Sequence, residues 1–202
     1  MVAVIVQTSL YNIKNTQIRV ACIGDSITEL TDYPSELQSM LGDGYMTRSF
    51  GASGSTVLLD TYMPYAYQTT FARAKNFLPD IVVVMLGSND ARTDNFKSID
   101  NFVADYIRLI KEIQSIKTNP QIFLVKPPPI FENELDLESA NFAEILGHIE
   151  QIADQLSLQI IDVYSAMKDH PEYFQDGVHP NSEGATVIAN KVYNAIALYA
   201  DA

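Results

Sequence analysis

Ile18-Arg19-Val20-Ala21-Cys22-Ile23-Gly24-Asp25-Ser26-Ile27-Thr28 reads as a short apolar strand that stops abruptly at Gly-Asp-Ser. Such a stop places a serine hydroxyl at the carboxyl end of a strand, where open α/β sheets gather their functional groups. Four further segments read as strands: Tyr45 to Phe50, Ile81 to Leu86, Ile122 to Val125 and Leu158 to Val163. Ile81-Val82-Val83-Val84-Met85-Leu86 is apolar at every position, the pattern of a central parallel strand covered on both faces. Between the strands, apolar residues recur at helical spacing. Val103, Tyr106, Ile107, Ile110 and Ile113 form one stripe. Phe142, Ile145, Leu146, Ile149, Ile152 and Leu156 form a second, and Ile188, Val192, Ile196 and Tyr199 a third. A weaker helix is expected from Pro34 to Leu41, with proline in its first turn. The alternation predicts an α/β fold with a mainly parallel sheet, in one domain over 18–202 preceded by an N-terminal extension over 1–17.

Bulk properties exclude more partners than they name. The chain has 202 residues, 47% of them hydrophobic, enough for a substantial core. Its net charge of −12 argues against nucleic acid, whose phosphates need clustered Lys and Arg, and against an anionic membrane surface. The single cysteine, Cys22, permits no intrachain disulfide and reads as a small buried hydrophobe within the first strand. Met1 to Leu10 is apolar but lacks a basic leading region and a small-residue cleavage site, so no signal peptide is expected. A cytoplasmic location follows if the chain is complete as it stands. The sequence carries no signal for oligomeric state.

Loops are expected at Gly51 to Pro64, Ser88 to Lys97, Lys126 to Leu135 and Tyr173 to Ser182. Chemistry-bearing residues concentrate there. Ser26 is a candidate nucleophile, which a neighbouring base must activate. Alone, Gly-Asp-Ser is equally a turn and a helix cap. His179 stands out among the three histidines, because Asp176 lies three residues before it and Pro180 follows it. A carboxylate in that position can hold one ring nitrogen and free the other to accept the serine proton. The competing reading is a polar loop before a helix capped by Asn181 or Ser182. His148 falls within a helical stripe and His170 precedes Pro171 at a helix break, so both read as structural. An oxyanion would need donors, and two loops offer them: Phe50-Gly51-Ala52-Ser53-Gly54-Ser55-Thr56 and Gly87-Ser88-Asn89-Asp90.

Taken in order, Gly24-Asp25-Ser26-Ile27, Gly54, Gly87-Ser88-Asn89-Asp90 and Asp176-Gly177-Val178-His179-Pro180 resemble the blocks of the GDSL or SGNH hydrolase family. The resemblance extends over nearly all of the chain from Ile18 onwards. It implies a three-layer α/β/α sandwich with a five-stranded parallel sheet, flavodoxin-like in order. By position it implies Ser26 as nucleophile, His179 as base and Asp176 as its partner. The oxyanion hole would comprise the Ser26 and Gly54 N–H groups and the Asn89 amide. The second block departs from the family, many members having Asn where this chain has Ser49. Tyr62-Met63-Pro64-Tyr65, Pro79-Asp80-Ile81 and Pro127-Pro128-Pro129 resemble the branch containing carbohydrate and sialate acetylesterases, which implies removal of short acyl groups, often acetyl, from sugars.

Substrate contacts are expected from Asp25, Tyr62, Tyr65, Pro128, Ile130 and Val178. The tyrosines, with Tyr67, either stack on sugar faces or pack at the start of the next helix. Pro128, Ile130 and Phe131 would form a wall of the acyl pocket. No His-Glu-x-x-His pair, phosphate loop, dinucleotide fingerprint or Gly-x-Ser-x-Gly elbow is present, so no metal and no cofactor are expected. Three readings follow: a short-chain O-acylesterase acting on carbohydrate or other small-molecule esters, a lysophospholipase or thioesterase acting on longer acyl chains, and a catalytically silent sugar-binding module. The complete set of Ser26, Gly54, Asn89, Asp176 and His179 weighs against the last.

Overall fold

The computed structural model describes residues 17–200. The expected extension over 1–17 therefore lies outside the described residues except for Gln17, and so does the reading of Met1 to Leu10. Five strands form one sheet: β1 (Ile18–Gly24), β2 (Tyr45–Gly51), β3 (Ile81–Met85), β4 (Gln121–Lys126) and β5 (Gln159–Asp162). All neighbours are parallel, in the order β2-β1-β3-β4-β5. Each strand lies within a residue or so of its expected position, because its apolar run is bounded by Gly, Pro or charged residues.

Eight α-helices accompany the strands among the described residues. Between β1 and β2 lie α1 (Ser26–Leu30) and α2 (Tyr33–Leu41), and α3 (Thr69–Asn76) precedes β3. The short α4 (Thr93–Phe96) and long α5 (Phe102–Gln114) lead to β4, and α6 (Ser139–Leu156) leads to β5. After β5 come α7 (Tyr164–Met167) and α8 (Ser182–Ala200). The expected loop over Ser88 to Lys97 is in fact mostly helical, with a single 3₁₀ turn at Asn89–Ala91 followed by α4.

Strand alternation divides the core between the two faces of the sheet. Ala21, Ile23, Val82 and Val84 pack with Phe71 of α3, Tyr106 and Ile110 of α5, and Ile145 and Ile149 of α6. Val20, Cys22, Val83 and Met85 pack with Leu37 of α2 and with Ile188, Val192 and Ile196 of α8. All three long stripes thus face the sheet, although Tyr199 ends its stripe half-exposed, with its ring edge-on to Phe123. Cys22 is fully buried, and burial pushes its thiol up to about 12, as befits a small hydrophobe.

The reversal of strand order occurs between β1 and β3, where the chain leaves β1 towards one side of the sheet and β3 towards the other. The loops after these two strands must diverge, and the divergence leaves a crevice at their carboxyl ends. Close packing of α1 against β2 forms one wall. A methyl group on Gly51 would lie 2.3 Å from the Glu29 backbone nitrogen, so only glycine lets the helix approach. Ser49 supports the same contact through its hydroxyl, which donates to the Thr28 carbonyl at 2.9 Å. Gly51→Ala should lower stability by about 1–3 kcal/mol through overpacking, read as a shift of the urea midpoint. Gly44→Ala, where an added methyl meets nothing within 4 Å, should be near neutral; equal effects at both positions would remove this account of α1 placement.

Candidate active site

The Asp25 carboxylate starts the site by capping α1, accepting from the Ile27 N–H at 3.0 Å. Ser26 is the first residue of that helix, so its N–H has no partner one turn earlier and points out of the helix end. The side chain is largely buried, and its hydroxyl lies 2.8 Å from His179 Nε2. Asp176 Oδ2 lies 2.6 Å from His179 Nδ1. The other Asp176 oxygen accepts from the Val178 N–H at 3.0 Å and the His179 N–H at 2.7 Å. The imidazole is therefore gripped through its own backbone as well as its ring.

The His179 loop is itself held by the β4–α6 loop. Phe131 N–H donates to the Gly177 carbonyl at 2.8 Å. Gly177 has φ +79°, and a methyl there would come within 2.1 Å of the Glu132 carbonyl oxygen. Both its backbone angle and the approaching chain call for glycine. Burial raises the Asp176 carboxyl but is outweighed by the hydrogen bonds from His179 and Val178, which leave it below its ordinary value.

The oxyanion candidates come to the same place. Gly54 follows β2 in a turn closed by Ser55 N–H to the Ala52 carbonyl at 3.1 Å, and its own N–H has no partner among the described residues. The Asn89 amide donates to the Ser55 carbonyl at 3.1 Å and to Asp25 Oδ2 at 3.4 Å. Ser26, Gly54, Asn89 and His179 all line one cavity of about 240 Å³.

The walls of that cavity differ in part from expectation. Val178 lines it as foreseen. Tyr62 is 95% exposed and does not line the cavity. Tyr65 is fully buried, with its hydroxyl donating to the Phe50 carbonyl at 2.6 Å and its ring 5.6 Å from Phe71. It is a core residue and has no face to offer a sugar. Pro128 and Ile130 are buried too, Ile130 in the core cluster that also holds residues of α5 and α6. Asp25 lies beneath the cavity, not in its lining, and acts through the α1 cap and Asn89.

Leu30, Leu135, Leu137 and Arg92, which sequence reasoning missed, supply the remaining walls together with Ile27, Ser53 and Ser88. A short antiparallel bridge between Arg92 and Leu137 pins the β4–α6 loop to the segment after β3. The signal was present: Leu135 and Leu137 alternate with Glu134, Asp136 and Glu138, the period of an extended segment with one apolar face. His148 and His170 lie elsewhere, His148 of α6 against Phe102 of α5 and His170 stacked on Tyr173.

Two carboxyls lie buried below the donors. Asp90 accepts from the Val57 and Leu58 N–H groups at 2.9–3.0 Å, which anchors the segment after Gly54 to the segment carrying Asn89. Burial pushes Asp90 up to about 7; the two N–H groups oppose that rise and the nearby Asp25 charge adds to it. Burial likewise pushes Asp25 up to about 6, against the Ile27 N–H and the His179 charge.

Residues 22–187 match the model of the GDSL-like Lipase/Acylhydrolase family. An acetylxylan esterase of Xylanibacter ruminicola is 33% identical over 210 residues, covering 91% of this chain and 44% of that protein. The chain spans less than half the length of the curated relatives it matches. Among solved structures, an acetyl xylan esterase, AlAXEase, superposes with a TM-score of 0.71 at 25% identity, covering 89% of this chain and all of that one. A carbohydrate acetylesterase family member from Sinorhizobium meliloti shares the fold with a TM-score of 0.74 at 23% identity, covering 91% and 98% of the two chains.

Asp90 holds its proton more tightly folded than unfolded. Its share of stability is therefore full below the ordinary value of 3.8 and is lost as pH rises through about 7. Asp90→Asn retains an oxygen for Val57 and Leu58 and removes the titration. The wild type should lose thermal stability relative to Asp90→Asn between about pH 4 and pH 7; parallel melting curves across that window would contradict the burial of this carboxyl.

Proposed function

The chain belongs to the GDSL-like lipase/acylhydrolase family, and from that premise we propose that it is a serine esterase removing short acyl groups, acetyl above all, from carbohydrate esters. The observation that carries the reading is the unbroken line of bonds from Ser26 Oγ through His179 to Asp176, at 2.8 and 2.6 Å. An ionised Asp176 can only accept, so the proton of the imidazole resides on Nδ1 and the Nε2 lone pair faces the serine. Nε2 takes the Ser26 proton as Oγ attacks the ester carbonyl. The oxyanion that forms is held by the Ser26 and Gly54 N–H groups and the Asn89 amide, whose long bond to Asp25 is the one exchanged for it. His179 then returns the proton to the leaving sugar alkoxide. Water, activated by the same nitrogen, attacks the acyl-serine and releases the acid.

The cavity supports a small acyl group. Its 240 Å³ is below the ~300–1,000 Å³ that drug-sized ligands occupy. A second reading, hydrolysis of longer acyl chains, is favoured by the apolar rim, where Leu30 and Leu135 are 67% and 40% exposed. The 33% identity to an acetylxylan esterase supports the first.

Hydrolysis of p-nitrophenyl acetate, butyrate and octanoate, alongside acetylated xylose, separates the two. Acetate preference with release of acetate from the sugar is expected, whereas an octanoate optimum would move the substrate to lipids or thioesters. Ser26→Ala and His179→Ala should each abolish most turnover in folded protein, Asp176→Asn should cost a similar or smaller factor, and Asn89→Ala about 10²–10³ in kcat. Folded Ser26→Ala with wild-type rates would sink the assignment, and saccharide binding without turnover would restore the binding-module reading.

A further inference from the structure

A second concavity, of about 560 Å³, opens on the outer side of the edge strand β2. Arg48, Arg73, Asn76, Phe77, Thr47 and Ser49 line it, and no carboxylate does. The Arg48 guanidinium lies 5.0 Å from the centre of the Phe77 ring. Arg19, Lys75, Lys97, Lys126 and Lys168 form ion pairs with carboxylates; among the described residues Arg48 and Arg73, like Arg92, Arg108, Lys111, Lys117 and Lys191, form none. Arg73 stands in the last turn of α3, where a cation offsets the helix dipole. That accounts for its place on the helix but not for its sharing a concavity with Arg48. In a chain of net charge −12, two unpaired arginines with no acid between them are a local reversal of sign.

We propose that this concavity binds the carboxylate of an acidic sugar carried on the polysaccharide whose esters the Ser26 site hydrolyses. The proposal rests on the esterase reading for the source of its ligand. The Arg48 guanidinium rests over the Phe77 ring, and its N–H groups can grip a carboxylate in the two-pronged manner that lysine cannot provide. Asn76 gives the sugar hydroxyls a polar neighbour beside the two arginines. Overall acidity selects the kind of polymer. A nucleic acid, with a phosphate at every unit, is repelled by a surface of net −12, whereas a neutral polysaccharide with widely spaced carboxylates is not.

The position of β2 links the two sites. Arg48 to Phe50 border the arginine concavity, and the same chain continues through Gly51 to Ser53 and Gly54 at the cavity holding Ser26. At about 3.3 Å per residue, Arg48 and Ser53 are at most ~16 Å apart, within the span of a few sugar units. Glu29, the carboxylate beside that path, is occupied by the N–H and hydroxyl of Ser53. A polymer with its ester at Ser26 can therefore place an acidic substituent on Arg48 and Arg73.

The test is equilibrium binding of xylan bearing glucuronate side groups, compared with the same xylan after reduction of its carboxyls. The proteins are wild type, Ser26→Ala, Arg48→Gln and Arg73→Gln, each with its thermal midpoint recorded to show that it is folded. Wild type and Ser26→Ala should both bind the carboxylated polymer at least about five-fold more tightly than the reduced one, with the preference fading at high salt. Arg48→Gln and Arg73→Gln should each lose that preference, and free glucuronate should compete better than inorganic phosphate. Equal binding of the two polymers, or folded arginine variants that keep the preference, would overturn the proposal. Displacement by phosphate at a lower concentration than glucuronate would overturn it too and assign the site to a phosphate group. Because Ser26→Ala enters the binding comparison, failure of the esterase reading shows separately, as p-nitrophenyl acetate turnover that does not depend on Ser26.

Discussion

The tight seating of α1 on the carboxyl ends of β1 and β2 is the constraint from which the site follows. Gly51 of β2 gives way to the helix backbone, the Ser49 hydroxyl ties Thr28 to the same strand, and Asp25 caps the first turn. Together they fix where Ser26 stands and which way its N–H points. A side chain at Gly51 would lift the helix and move the serine away from His179, which comes from 153 residues further along the chain. A hydrogen bond between residues so remote holds only if both ends are fixed independently. Here they are: Ser26 is held by the sheet, and His179 by the Asp176 and Gly177 loop resting on Phe131 and Glu132.

Beneath the cavity lies a less usual arrangement, two carboxyls that are almost wholly buried. Asp25 and Asp90 serve backbone N–H groups that have no other partner, and each ties together segments that belong to different strands. Burying such groups is costly unless their acceptor capacity is used. Asp90 uses it to hold the chain after Gly54 against the chain carrying Asn89. These groups therefore position donors instead of meeting substrate. Their raised affinities for protons reflect the dry surroundings in which those donors work.

Much of this was legible beforehand, for identifiable reasons. β3 is apolar on both faces because it is the middle strand, and α5, α6 and α8 show their buried sides by period alone. Ser26, Asn89, Asp176 and His179 stood out because their residue types sit immediately after strands or in a loop too polar for the core. The failures are equally physical. Tyr65 carries one hydroxyl on a large apolar ring, so the same residue suits a sugar surface or a core with one spare carbonyl, and Phe50 supplied that carbonyl. Pro128 and Ile130 look like a loop wall in sequence, yet the loop after β4 turns them into the core. Leu135 and Leu137 show an apolar face by alternation, but that they meet Arg92 at the cavity depends on a bridge between two loops that no local pattern encodes.

By itself the sequence determined the order of strands and helices, the faces they bury, and the short list of groups able to carry acyl chemistry. Those depend on period, on turn residues and on side-chain chemistry, all of which are local. Only the tertiary structure decided which loop residues share a cavity, that Asp25 supports the site from below, and that Arg48 and Arg73 line one concavity. Those outcomes depend on how strands order themselves in a sheet and how loops from distant segments pack on one another. Contacts of that kind are set by the shape of the whole chain and by no stretch of it alone.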